Sequence, residues 1–328
     1  MDNLTHSLTG LALARAGLNR LSPRGTLLAV LAANAPDIDI AALPFGTLRY
    51  FEAHRGYTHT LIALPVMAAL CVAIVAGISR GKLPWFRAWV LCSIAVASHL
   101  LLDWTNAYGV RLLLPFSSRW FHADLNSLSD AAILAALVLA AVWPSFAALV
   151  SSEIGARAPR ARIPAICALV FCLLFDFCRT LMHDRALAQL EARLYGGSLP
   201  VTTAALPSAF NLLHWTGVIE TSGTFRVLDI NVLADLDPDS GRVFYKFPAD
   251  AAIEAASATR PFRYFVYFAR FPVWSEQPVA EAEGRRVELS DLRFGSPGTG
   301  SFHCIAIVTR AGQVVRSMFT FGSGANLR

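Results

Sequence analysis

The chain has 328 residues, of which 55% are hydrophobic and only 16% charged, and its mean hydropathy is +0.49. That is too apolar for an ordinary soluble domain of this length, so part of the chain belongs in lipid. The net charge of +5 does not signal a nucleic-acid partner, because Arg and Lys fall in short loops between apolar runs rather than in one patch.

Asp2 precedes the first basic residue, Arg15, and the apolar stretch after it lacks the basic start and small-residue cleavage site of a signal peptide, so the N-terminus is expected to be retained. Residues 3–14 and 25–36 carry 12 uncharged residues each, too few to span a bilayer alone, and read as a short helical hairpin. Residues 60–79 form an uncharged run of 20 and residues 131–152 one of 22, each long enough to cross a hydrocarbon core of roughly 30 Å. Residues 88–102 make a shorter run, extended by the interfacial aromatics Trp85, Phe86 and Trp104, and return the chain across. A fourth span is predicted over residues 163–177, after which the pattern turns amphipathic through Arg179, Asp184, Arg185, Glu191 and Arg193 as the helix leaves the membrane.

From about Ser198 onward, residues 225–232, 242–247, 263–271, 287–294 and 303–308 read as short strands rich in Val, Ile, Phe and Tyr, separated by Gly, Pro, Asp and Ser. Five of the six cysteines (Cys71, Cys92, Cys167, Cys172 and Cys178) lie inside apolar runs and only Cys304 falls in this later part, so no disulfide framework is indicated. The predicted fold is a mainly α membrane helical bundle, with about four transmembrane helices plus the N-terminal hairpin, occupying residues 1–195. A soluble C-terminal domain, α+β or mostly β, follows over residues 196–328.

Six pieces of the first half carry chemistry: His6; Asp37 and Asp39 in N-A-P-D-I-D; His54 and His59 in H-R-G-Y-T-H; His99 with Asp103; His122 with Asp124; and Asp130. Imidazole and carboxylate are the ligands that hold zinc, manganese or iron. His99 and Asp103 are four apart on a predicted helix and share a face. If each helix reverses direction, all of these residues land at one side of the membrane. Singly, each has a plainer role. Asp37 and Asp39 around Pro36 can stop a helix, Asp130 can cap one, His122 and Asp124 can be solvated loop residues, and His99 with Asp103 can be an internal hydrogen bond. Those roles do not require a common side, whereas a metal site does. His183, His214 and His303 lack partners at ligand spacing and read as structural.

The opposite side receives Arg15, Arg20 and Arg24, then Arg80, Lys82 and Arg87, then Arg157, Arg160 and Arg162, nine basic residues against the four of the site-side loops, Arg49, Arg55, Arg111 and Arg119. The positive-inside rule then turns the site and the C-terminal domain away from the cytoplasm.

The motifs M-D-N-L-T-H-S-L-T-G, A-N-A-P-D-I-D, H-R-G-Y-T-H-T and H-L-L-L-D-W strongly resemble the YdjM family of bacterial inner-membrane proteins, described as predicted metal-dependent hydrolases. The resemblance covers about residues 1–150. Residues 263–274 and the strands around them look like the C-terminal extension many members carry. A more distant similarity is to zinc-dependent phospholipases C and single-strand-specific zinc nucleases, whose ligand order His6, Asp37 or Asp39, His59, and His99 with Asp103 match. Those enzymes also use an N-terminal amine and a second H-x-x-x-D pair, neither of which is evident here, and this favours one or two ions, zinc first, with manganese or iron as alternatives.

The resemblance implies metal-assisted hydrolysis of a phosphoester, with His59, His99, Asp103 and one of Asp37 or Asp39 as ligands, His54 as a further ligand or general acid, and Arg55 holding a phosphate oxygen. A site at a membrane surface points to a lipid head group or lipid-linked phosphate. The rival is a non-catalytic membrane protein in which a metal cements the helix ends and the C-terminal domain binds a protein or envelope partner. A transporter would need charged residues deep in residues 60–79 and 131–152, which have none.

Overall fold

The computed structural model describes residues 1–79, 82–153, 161–248, 250–279 and 284–322. Arg80, Arg157 and Arg160 of the basic loops lie outside the described residues. The chain divides into two units. The first comprises Met1–Ile40, Ala53–His183 and Pro207–Leu212, and the second Ala41–Glu52, Asp184–Leu206 and Leu213–Arg328. Residues 41–52, between two candidate ligand motifs, fall in the second unit with the C-terminal strands.

The first helix, α1 (Asn3–Ala16), is capped by Asp2, whose carboxylate accepts from the Thr5 amide at 2.9 Å and the Thr5 hydroxyl at 2.8 Å. Gly17, with φ of 144°, ends it. α2 (Gly25–Asn34) runs on as a 3-10 stretch (Ala35–Phe45), and α3 (Thr47–Ala53) follows. A 3-10 turn (Tyr57–His59) leads into α4 (Ala63–Ser79), then α5 (Trp85–Trp104), α6 (Ala131–Glu153) and α7 (Arg162–Glu191).

Four of these segments are long and apolar enough to cross a membrane: Gly25–Phe45, Trp85–Trp104, Ala131–Glu153 and Arg162–Glu191. The first departs from the sequence reading, which stopped it at residue 36. Ile38, Ile40, Leu43 and Phe45 prolong the apolar run, and Asp39 between them is turned inward and buried. Conversely, residues 60–79 shorten to Ala63–Ser79, because the Thr60 hydroxyl accepts from the Ala63 amide at 3.0 Å and starts the helix there. That helix qualifies as a span only together with Thr47–His59, across a bend of 89°.

The bundle is held by small side chains. Ala29, Ala32 and Ala33 of α2 pack with Ala68, Cys71 and Val72 of α4 and with Ala88, Cys92, Ala95 and Val96 of α5. Lipid gives little hydrophobic incentive for helices to associate, so close van der Waals approach does that work. α1 and α2 come nearest at Gly10, where an added Cβ would stand 2.8 Å from both the Ala29 carbonyl oxygen and the Ala33 Cβ. A second cluster joins Ala12 to Leu102, Ile133, Leu137, Ala140, Ala165 and Ala168, tying α1 to α5, α6 and α7.

The second unit carries two antiparallel four-stranded sheets. The first has the order β1 (Thr202–Pro207), β2 (His214–Glu220), β3 (Thr224–Asn231) and β4 (Arg242–Tyr245). Two helices, α8 (Ala251–Ser257) and α9 (Arg260–Phe268), precede the second, β5 (Pro272–Val279), β6 (Gly284–Asp291), β7 (Phe302–Thr309) and β8 (Val314–Phe321), again in sequence order. The unit is thus α+β. Residues 263–271, expected as a strand from their aromatic content, are mostly helix. Pro261 sits in the first turn, where its missing N–H costs nothing, and Phe262, Phe265 and Phe268 repeat at helical spacing and are buried together. The six cysteines are free.

Gly10→Val is expected to destabilise the bundle by about 1–3 kcal/mol, the usual range for overpacking a tight contact, and Gly10→Ala less. Thermal unfolding of the detergent-purified chain reads the difference.

Candidate metal centre

Every element of the first unit that carries a candidate ligand delivers it at an end. His6 stands in the first turns of α1, and Asp37 and Asp39 on the 3-10 stretch after α2. His54 and His59 flank the turn before α4, and His99 and Asp103 close α5. H-R-G-Y-T-H can make its turn because Arg55 adopts a left-handed backbone, φ 51°, and Gly56 follows. A Cβ on Gly56 would lie 2.7 Å from the Ala53 carbonyl oxygen and 2.8 Å from Arg111 Nη2, so only glycine fits.

The side chains converge in two sets that share a histidine. His6, Asp37 and His99 present ligand atoms within 4.8 Å of one another, and so do His59, His99 and Asp103. His59 Nε2 lies 3.1 Å from His99 Nε2, 3.5 Å from Asp37 Oδ1 and 3.4 Å from Asp103 Oδ2. His99 Nε2 is 3.5 Å from Asp103 Oδ2. The His6 ring stacks on that of His99 with centroids 3.7 Å apart. His6, His59, His99 and Asp103 are no more than 1% exposed, whereas the side chains of Asp37 and His54 are 15% and 19% exposed and form the open edge.

Asp103 is the hub. Its Oδ1 accepts from Arg55 Nη2 at 2.9 Å and from the α-amino group of Met1, and His6 Nε2 stands 3.4 Å away. The Met1 amine is fully buried, and burial lowers its pKa below the ordinary value despite the carboxylate beside it. From the sequence no N-terminal amine is evident as a member of the site; the structure sets the Met1 amine against the Asp103 carboxylate. Arg55 is itself held: Nη1 donates to Asn106 Oδ1 at 2.9 Å and to the Gly109 carbonyl at 3.1 Å, and its guanidinium lies 4.7 Å from the Tyr108 ring centre. Asn106, fully buried, also escaped the sequence reading. Its signal is position, three residues beyond the H-x-x-x-D pair.

Asp39 does different work. Its Oδ2 accepts from the Arg55 amide at 2.9 Å and lies 3.2 Å from His54 Nδ1 and 3.5 Å from His59 Nδ1. It orients two imidazoles rather than joining the close-packed ligand sets.

The donor set fits a divalent ion. His99 Nδ1 lies 2.7 Å from the Ala33 carbonyl oxygen, which can only accept, so Nδ1 carries the proton and the Nε2 lone pair faces the cluster. Both ring nitrogens of His6, Asp37 Oδ2 and Asp103 Oδ2 are buried without a hydrogen-bond partner among the described residues. Such orphans are rare in folded proteins, and their occurrence on residues of the two close-packed ligand sets matches the ligand chemistry of zinc, manganese or iron.

The remaining candidates stand apart from these sets. His122 Nδ1 pairs with Asp124 Oδ1 at 3.3 Å. Asp130 caps α6, with Oδ1 accepting from the Ala132 amide at 3.1 Å, while Oδ2 pairs with Arg179 at 2.8 Å. Burial raises the Asp130 pKa, and Arg179 opposes the shift. Arg179 donates further to the Ser208 carbonyl, and Asn126 bridges Thr105 and Asp176, so a second buried polar network ties α5, α6 and α7 together.

Comparison with known proteins follows the same division. The YfhP C-terminal alpha/beta plait domain matches residues 251–323, which carry α8, α9 and β5–β8. The chain is similar to the uncharacterized protein YfhP of Bacillus subtilis (strain 168), 29% identical over 154 residues, 44% of this chain and 46% of YfhP, so the alignment spans less than half of that relative. It is also similar to the inner membrane protein YbcI of Escherichia coli (strain K12), 33% identical over 130 residues, 37% of this chain and 70% of YbcI. No solved structure matches. The YdjM inner membrane protein family matches residues 1–186, more than half of the chain and all of the ligand cluster, and the chain belongs to that family.

Proposed function

We propose that this inner membrane protein is a metal-dependent hydrolase acting on a phosphoester such as a lipid head group or lipid-linked phosphate. The observation that carries the reading is the buried convergence of His6, Asp37, His59, His99 and Asp103 in two sets of ligand atoms, with nitrogen or oxygen atoms of His6, Asp37 and Asp103 lacking a hydrogen-bond partner among the described residues. His59, His99, Asp103 and Asp37 would hold the ion, and His6 is placed to join a second. A divalent ion bound there supplies acidity to a water molecule and positive charge against a phosphoester oxygen.

The protein's own groups provide the rest. Asp39 accepts from His54 Nδ1 and so fixes the ring that stands at the open edge. A histidine oriented in this way can give a proton to the leaving oxygen. Arg55, committed to Asp103, Asn106 and Gly109, keeps positive charge beside the cluster. Ile38, Ile40, Tyr57 and Leu61 alternate in sequence with the ligand residues and are each more than half exposed. Apolar surface next to the open edge suits a substrate with a hydrocarbon part. The basic bias of the opposite loops supports an extracytoplasmic site.

A second reading draws on the burial itself. Four ligand candidates with almost no exposure also suit an ion that only cements helix ends, leaving a protein or envelope partner to the C-terminal unit. Metal analysis and turnover separate the two. Purified wild type is expected to contain zinc, manganese or iron and to cleave phosphodiester or phospholipid substrates. Chelation abolishes the activity and added metal restores it, and His59→Ala and Asp103→Ala lose metal and activity in parallel. Metal lost on chelation with stability reduced and no substrate turned over would favour the cementing role, while metal-free wild type would sink both.

Asp130→Asn is the counterpart. It breaks a buried ion pair and is expected to cost about 3–5 kcal/mol of stability, seen in thermal unfolding, while metal content stays that of wild type. For sidedness, alkaline phosphatase fused after Arg328 is expected to be active, since it folds only outside the cytoplasm. An inactive fusion together with an active cytoplasmic reporter would reverse the assignment.

A further inference from the structure

The segment between the Asp39 and His54 motifs is part of the second unit, and it is anchored there by its own side chains. Phe51 is fully buried. Its ring stacks on Phe319 of β8 at 4.0 Å with an interplanar angle of 5° and meets the edges of Tyr264 and Phe268 of α9 at 4.9 and 5.0 Å. Glu52 makes a two-pronged ion pair with Arg260, at 2.7 and 2.6 Å, the geometry with the best-defined orientation for this pair. The Tyr264 hydroxyl donates to the Glu52 carbonyl at 3.2 Å, and the Thr47 hydroxyl donates to the Phe319 carbonyl at 3.1 Å. α3 is thus a structural member of the C-terminal unit's aromatic core, although it is encoded between two pieces of the ligand cluster.

The chain allows little slack on either side. Ile40 alone separates Asp39 from residue 41, and Ala53 alone separates Glu52 from His54. Both flanks are then fastened to one another, because the Arg55 amide donates to Asp39 Oδ2 and His54 Nδ1 lies 3.2 Å from the same oxygen. A shift of α3 in its aromatic seat moves the backbone that carries Asp39, His54 and Arg55, and Arg55 is the partner of Asp103.

We propose that the C-terminal unit is a clamp on the ligand cluster, and that Phe51, Glu52 and Arg260 are positioning residues that set Asp39, His54 and Arg55. The consequence for metal affinity rests on the hydrolase reading above, but the mechanical coupling does not.

The full chain in detergent tests it with Glu52→Arg, Arg260→Glu, the double exchange and Phe51→Ala. Amide hydrogen exchange over residues 53–59 and zinc affinity by competition with a chelator are the two readouts. An exposed ion pair contributes little, so each single reversal is expected to speed exchange and weaken zinc binding about two- to fivefold, and the double exchange to restore both. Phe51→Ala, which empties a buried seat, is expected to shift both by more than about tenfold. Arg285→Glu, which removes an equally exposed pair with Asp250 and Glu276, leaves both unchanged. Rescue by the double exchange excludes general misfolding as the cause. Unchanged exchange over 53–59 in both reversals and in Phe51→Ala overturns the clamp. Wild type that takes up no zinc overturns the metal reading instead, while the exchange measurement still decides the clamp.

Discussion

The carboxylate of Asp103 is almost wholly withdrawn from solvent, and a charge so placed must be compensated inside the protein or it will not stay charged. The compensation comes from every direction: Arg55 at 2.9 Å, the Met1 amine, His6, and the facing nitrogens of His59 and His99. They come from the start of α1, the turn before α4, and α5 itself, so satisfying one side chain fixes the mutual position of these three elements. The hub also explains why a buried arginine is tolerated. Asn106 and Gly109 take the guanidinium hydrogens that Asp103 does not, and Tyr108 covers its face.

Such convergence needs helices that approach closely, and the composition of the bundle permits it. Alanines on α2 and α5, with Gly10 at the crossing of α1 and α2, bring backbones near enough for the Ala33 carbonyl to accept from His99 Nδ1. The packing of small residues and the tautomer of a candidate ligand are therefore one fact. A larger residue at Ala33 or Gly10 would move the carbonyl that orients His99. The Asp130 and Arg179 network does comparable work for α6 and α7 through caps and ion pairs rather than through ligand-like geometry.

The C-terminal unit is more than an appended fold. By taking Phe51 into its aromatic core, it holds the chain between two halves of the cluster. An extension that grips the connection between Asp39 and His54 can influence them without contributing a ligand itself.

Much of this was legible in the sequence, because local patterns are read locally. Long uncharged runs announce helices in lipid, His99 and Asp103 at four-residue spacing must share a helix face, and alternating helix direction predicts that His6, Asp37, Asp39, His59, His99 and Asp103 gather at one end. Tertiary structure decided what depends on contacts between distant residues. His122, Asp124 and Asp130 have the right chemistry at the right end, yet they lie outside the two close-packed ligand sets, with Asp130 at a helix terminus beside Arg179, and pattern alone does not reveal which carboxylate a neighbouring helix will neutralise. Residues 263–271 carry aromatic content that suits a strand, but one buried face of phenylalanines makes most of them part of the helix Arg260–Phe268. Asn106 has no motif of its own, and the N-terminal amine, not evident from the sequence, acquires meaning only beside Asp103. Residues 41–52 join the second unit where Thr47, Phe51 and Glu52 meet partners more than 200 residues later, long-range packing choices that no window of sequence contains.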